Sequence, residues 1–313
     1  MALERQAAGD ARSRPTSRDR AVHCLWQGPA RLGESPLWDT RRNRLFWIDC
    51  LGQTLWSANA DGGDPRSWNL PDVIGSIGLC EDGRLVVGFA RGFALVTPGQ
   101  GGAEVEWIGD PDPDNSGTRL NDGKVDRQGR FWCGTMNIDF TATNAALFRL
   151  DPNGTWARID DGFTVSNGIA FSPDGARMYF SDSRVDRSYQ YDLDRATGQL
   201  SNRRAFLDTT AYEGRVDGAT VDADGCYWAA LFSGGAVARF DPDGTLMQKI
   251  DLPVSCPTMC SFGGPDLDIL YVTSATFTLE EDELAQQPLA GALFAIEGLG
   301  ARGLEEPRFA TPG

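Results

Sequence analysis

The chain has 313 residues, 41% hydrophobic and 23% charged, with 37 glycines, 17 prolines and nine tryptophans. That composition can fill a large core, and it suits many short strands joined by tight turns. A net charge of −15 and a pI of about 4.5 argue against nucleic acid or an anionic membrane as partner, and no apolar run is long enough to cross a bilayer.

Residues 1–20 are polar, include five arginines and lack a signal-peptide core, so they read as a disordered tail ahead of one domain spanning 21–313. His23, in the run AVHCLW beside that tail, is the one histidine. Its position, and the lack of a nucleophile-elbow motif, speak against a Ser-His-Asp or Cys-His mechanism and against a His-rich metal site. Seven cysteines show no disulfide framework, and Cys256 and Cys260 find no second Cys/His pair to complete a zinc set. A reducing cytoplasm is the compartment this predicts. Nothing in the pattern demands an oligomer, so a monomer is expected.

From residue 36 onward one unit recurs: an apolar pair, an acidic or Ser-Pro turn ending in Gly, then a strand with aromatics. It appears as PLWDTRRNRLFWID (36–49), LCEDGRLVVGF (79–89), KVDRQGRFWCGT (124–135), AFSPDGARMYFSDS (170–183), TVDADGCYWAAL (220–231) and SFGGPDLDILYVTSA (261–275). Further strand pairs follow at 146–159, 189–200 and 236–250, and one short helix is expected within TLEEDELAQQ (278–287). The spacing of roughly 40–50 residues is the period of a four-stranded blade. A β-sandwich does not predict six similar units, and a solenoid usually has a shorter period. The expectation is therefore an all-β, six-bladed β-propeller with four-stranded antiparallel blades around a central channel. Segment 21–28 would supply the outer strand of the last blade and close the ring. Trp47, Trp132 and Trp228 fall at strand positions that suit packing between blades, and Asp126 and Asp222 suit turns.

The repeat also works as a ruler. Eight residues before the turn glycines Gly83, Gly129, Gly175 and Gly225 stand Gly75, Asn121, Asn167 and Asp217; the looser copies add Glu34 and Thr258. Equivalent positions in a propeller share height and direction, so these six should ring the channel mouth. Five bear oxygen. Such a set is costly to bury unpartnered but suits a hard cation; the alternative is that each residue bonds its own turn.

At these positions the sequence resembles the gluconolactonase family that includes senescence marker protein (regucalcin) and luciferin-regenerating enzyme. The matching blocks are LGESPLWD (32–39), RLNDGKVDRQGRFWCGTM (119–136), SNGIAFSPDG (166–175), VDGATVDADG (216–225), SFGGPDLDILYVTSA (261–275) and QPLAGALF (287–294). The resemblance implies a six-bladed propeller holding one divalent cation (Ca, Zn, Mg, Mn or Fe) on Glu34, Asn167 and Asp217. It implies substrate contacts at Arg119 and Asn121, and at Asp139, where some members carry Glu. Thr258 rests on repeat phase alone and ranks second. Asp122 and Lys124 read as structural, the lysine paired on the surface, and the stretch from Asn137 to about Asn144 reads as the entrance loop.

The implied reaction is hydrolysis of a sugar-derived lactone to its open acid, with the metal as Lewis acid and Asp217 as candidate general base. Two other readings stay open. One is an arylesterase or phosphotriesterase on the same scaffold; the other is a non-enzymatic, cation-binding propeller.

Overall fold

The computed structural model describes residues 21–311; the expected N-terminal tail, 1–20, lies outside them. The chain forms a six-bladed β-propeller. Each blade is built on a four-stranded antiparallel sheet, and the second carries one further short strand. The innermost strands are, in blade order, Gly33–Asp39, Ile74–Cys80, Thr118–Val125, Ser166–Phe171, Arg215–Val221 and Pro257–Gly263. As the repeat predicted, Ala21–Trp26 is the outer strand of blade six, antiparallel to Leu293–Glu297, so the first described strand and a late one close the ring in a single sheet.

The core lies between the blades, as flat sheets packed face to face require. Trp132 joins Ile169, Phe171, Met178 and Phe180 between blades three and four, and Trp228 joins Cys260, Phe262, Leu270 and Phe294 between blades five and six. Trp47 sits with Trp38, Tyr271 and Leu293 between blades one and six. Asp126 and Asp222 hold their turns through backbone N–H groups. Each also accepts the indole Nε1–H of the following strand's tryptophan, at 2.9 and 2.8 Å. The turn motif and the blade packing are thus one unit. A short helix, Glu281–Gln286, forms inside the expected segment.

Every innermost strand carries a register shift at the same phase: between Glu34 and Leu37, Ile74 and Ser76, Leu120 and Gly123, Asn167 and Ala170, Val216 and Ala219, and Pro257 and Cys260. A bulge bends a strand and re-aims its side chains. At Gly168 it needs φ +62°, and a Cβ there would collide with the Tyr227 hydroxyl and Ser181 Oγ, which leaves glycine as the residue that fits.

The segment after Glu297, unread in the repeat pattern, crosses the far end of the channel. Arg308–Phe309 adds a parallel strand to the inner edge of blade two. Ala223 N donates to Arg302 O, Gly303 N to Leu267 O, and Ala310 N to Gly129 O, which ties blades five, six and three to the plug. Lys124, expected on the surface, instead lies largely covered in the channel, 3.2 Å from Glu306 of this segment, whose carboxylate also accepts from Ser261 Oγ. Arg308 pairs with Asp39 of blade one at 2.6 Å, with side chains only 4% and 1% exposed. Removing one partner of such a pair leaves the other charge buried. Arg308→Ala should therefore destabilise the protein by about 3 kcal/mol, because Arg42 remains beside Asp39 as a partial substitute. An unchanged urea midpoint would show that the plug does not support the ring.

Candidate active site

At the open end of the channel lies a cavity of about 410 Å³. Its floor is Glu34, Asn121, Asn167 and Asp217, four of the six positions at one repeat phase. Two residues earlier, Leu32, Arg119, Val165 and Arg215 form the next layer of wall, the arginines within their strands and Leu32 and Val165 in bridges just ahead of theirs. Alternation along a strand explains this, since residues i and i+2 share a face.

The other two ring positions stay outside. Gly75 abuts blade three so closely that a Cβ would run into the backbone of Leu120 and Asn121. Thr258 is fully buried, and its hydroxyl donates to Gly33 O, with Thr273 Oγ1 2.9 Å away. The expectation that Thr258 serves the site is corrected: it welds blade six to blade one. Asp139 does not line the cavity either. It is exposed, while its loop neighbours Ile138 and Phe140 face inward. The entrance loop is where it was expected, stiffened by Asn137, whose Oδ1 accepts from Thr141 N and whose Nδ2 donates to Asn144 Oδ1.

A directional chain of hydrogen bonds runs round the floor. Arg119 NH1 donates to Asn121 Oδ1 at 3.0 Å, Asn121 Nδ2 to Asn167 Oδ1 at 2.8 Å, Asn167 Nδ2 to Ser183 Oγ at 2.9 Å, and Ser183 Oγ to Val216 O at 2.6 Å. Three blades are linked, and both carboxamides are fixed in orientation. Each amide oxygen keeps a second lone pair.

The two carboxylates are treated very differently. Glu34 accepts one long bond, from Ser35 N at 3.4 Å, and no hydrogen bond to the Asp217 side chain is found among the described residues. Loss of solvation raises the pKa of Glu34 well above the usual carboxylate range; the charges of Asp217 and Asp122 raise it further. Asp217 is raised well above its ordinary value too, by burial first and then by Asp122, with Arg119 opposing. Asp122, the expected structural residue, accepts from Ile169 N at 2.8 Å, and burial pushes it up to about 6. The floor therefore gathers negative charge with little local compensation.

Such a floor fits a hard cation. Two carboxylates and a carboxamide oxygen are the donors such an ion takes, and their own hydrogen bonding leaves them under-satisfied. Among the described residues no group of three or more His, Cys, Asp or Glu side chains is placed to hold a metal; the set here is mixed.

Residues 32–276 match the family model described as the SMP-30/Gluconolactonase/LRE-like region. The chain belongs to this family. It is 37% identical to 6-deoxy-6-sulfogluconolactonase from Pseudomonas putida, over 93% of this chain and 99% of that one. It is 33% identical to regucalcin from Xenopus laevis, over 92% and 98%. Among solved structures, a calcium-binding protein, regucalcin, from Agrobacterium tumefaciens superposes with a TM-score of 0.87 at 29% identity, covering 92% of this chain and 97% of that one. In this SMP-30/gluconolactonase member, sequence reading overlooked Ser183, Arg184 and Arg215 in the cavity. The ruler, applied two residues earlier, would have reached Arg215 by the same phase that reaches Arg119.

The raised carboxyls make stability depend on pH. A carboxyl whose folded pKa is raised contributes stability below its unfolded pKa, around 4, and that contribution is lost as pH rises through the folded pKa. With chelator present, Asp217→Asn should unfold at higher urea than wild type at pH 7.5, by about 1–2 kcal/mol, and the gap should close near pH 4. A variant less stable than wild type at neutral pH would show that the floor is not charge-strained.

Proposed function

We propose that the protein is a metal-dependent lactonase that hydrolyses a sugar-derived lactone to its open-chain acid. The observation that carries this reading is the cavity floor: two under-bonded carboxylates and an oriented carboxamide, beside an arginine and an asparagine able to hold ring oxygens. Support comes from the similarity to 6-deoxy-6-sulfogluconolactonase, at nearly full length of both chains.

Glu34, Asn167 and Asp217 would hold the divalent cation. When bound, that ion supplies Lewis-acid polarisation of the lactone carbonyl oxygen. Asp217 takes a proton from the attacking water as its oxygen bonds to the carbonyl carbon. Burial and like charge make it a stronger base than an ordinary carboxylate. As the ring ester bond breaks, the proton passes to the leaving oxygen, giving a hydroxyl and a carboxylic acid, which releases the second proton of the water to solvent and becomes a carboxylate. Arg119 holds Asn121 by its amide oxygen and keeps further N–H donors for ring or exocyclic oxygens. Phe232, Phe277, Ile138 and Phe140 surround the opening and limit water.

The exposed apolar rim also favours a second reading, hydrolysis of an aryl ester: Ile138, Phe140 and Phe277 are 47%, 41% and 43% exposed. A pH-drop assay on aldonolactones beside chromogenic aryl and phosphate esters separates the two. Lactones should be opened with higher kcat/KM, chelator should abolish activity, and divalent ions should restore it. Asp217→Asn should cost at least about 10³-fold in kcat. Wild-type turnover by that variant would remove Asp217 as the base. Cation binding without turnover of any ester would leave a binding propeller.

A further inference from the structure

Three guanidinium groups in the cavity wall have no carboxylate ion pair, and two of them have no hydrogen-bond partner among the described residues either. Arg119 is committed, donating to Leu120 O and Asn121 Oδ1. Arg215, one layer above Asp217 on the same strand, makes no side-chain hydrogen bond or ion pair among the described residues. Arg184 makes none either; its guanidinium lies over the Phe140 ring, 5.0 Å from the centroid. Neither arginine neutralises the floor, because no ion pair links them to Glu34 or Asp217 and the cation that acts on both carboxylates is Arg119.

We propose that Arg215 and Arg184 form an anion subsite, and that the substrate is a lactone bearing a second, exocyclic anionic group: carboxylate, sulfonate or phosphate. This rests on the lactonase reading and deepens it. The spacing suits it. Residues two apart on a strand are separated by roughly 6–7 Å, comparable with the span from a lactone's carbonyl oxygen across the ring to the oxygens of an anionic group carried on the exocyclic carbon. With the carbonyl over the floor, the far substituent meets Arg215. Arg184, on the loop after blade four's second strand, closes over it from the mouth. The apolar residues around the opening exclude water and strengthen that attraction, and planar guanidinium forks match oxyanions of all three kinds.

The test pairs gluconolactone with counterparts carrying carboxylate, sulfonate or phosphate at the exocyclic carbon, assayed on holoenzyme and on Arg215→Gln and Arg184→Gln. Wild type should prefer at least one anionic lactone by about tenfold or more in kcat/KM. Arg215→Gln should cut that preference about 10- to 100-fold, chiefly through KM, and added salt should erode it. Which of the three anions is preferred identifies the group. Equal or better use of the neutral lactone, or an unchanged preference in both variants, overturns the subsite while leaving the lactonase reading intact. If no lactone is opened, the lactonase reading fails, and binding decides the subsite. Calorimetry with glucose 6-sulfate against glucose should show tighter binding of the sulfate, weakened at least tenfold by Arg215→Gln. Equal affinities would overturn it.

Discussion

Glu34 and Asp217 come from blades one and five, yet they share one cavity floor, where each is short of water and of hydrogen-bond donors. Asp122 adds its charge from behind. Charges of one sign in a poorly solvated place oppose folding, and the rest of the architecture has to hold them there. The six bulges aim the ring residues, and the Arg119–Asn121–Asn167–Ser183 chain fixes the floor between blades three and five. Sites that store strain of this kind commonly carry function, because a ligand of opposite charge relieves it.

What opposes the strain is spread round the ring. Ala21–Trp26 pairs with Leu293–Glu297 so that the last blade contains both an early and a late strand. Thr258 bonds blade six to blade one through Gly33 O, next to Glu34. The final segment touches blades one, two, three, five and six across the far end. None of these contacts reaches the cavity, but each keeps the blades from separating and the carboxylates from moving apart. A propeller closed at both rim and base can tolerate a repulsive centre that an open sheet would relax.

Much of this was legible in the sequence, because a repeat transmits geometry. Similar turn chemistry at one period places Glu34, Asn121, Asn167 and Asp217 at one height. The ruler failed where blades touch directly: Gly75 and Thr258 hold the same phase, but packing against the next blade takes their place in the ring. It also failed outside the repeat. The plug has no periodicity to read, so Lys124 looked like a surface residue until Glu306 supplied a buried partner. Asp139 sits on a loop, where neither alternation nor phase dictates which side chain faces inward; Ile138 and Phe140 do so instead. Arg215 was missed for a different reason. It shares a strand face with Asp217 but lies one layer above the oxygen-bearing phase that the repeat marks.

The channel divides into two zones of opposite character, and that division says which end acts. In the lower zone Lys124 meets Glu306, Arg308 meets Asp39, and the remaining space beside Lys124 and Glu306 amounts to about 10 Å³ in each of two small voids, room for roughly one water apiece. Charges there are balanced and the volume is filled. Asp122 marks the boundary, its carboxylate bonded to Ile169 N and drawn downward in pKa by Lys124 against the upward push of burial. Above it the balance breaks: the carboxylates lack partners, the cavity opens to about 410 Å³, and two arginines higher in the wall face no acid. A negative floor beneath a positive upper wall is a field with a direction. It draws a cation to the bottom and an anion to the top, and with a cation on the floor it would orient a molecule so that its electron-rich carbonyl points down while its charged substituent points up. A neutral lactone could enter such a field in several poses; a lactone with a remote anion is held in one.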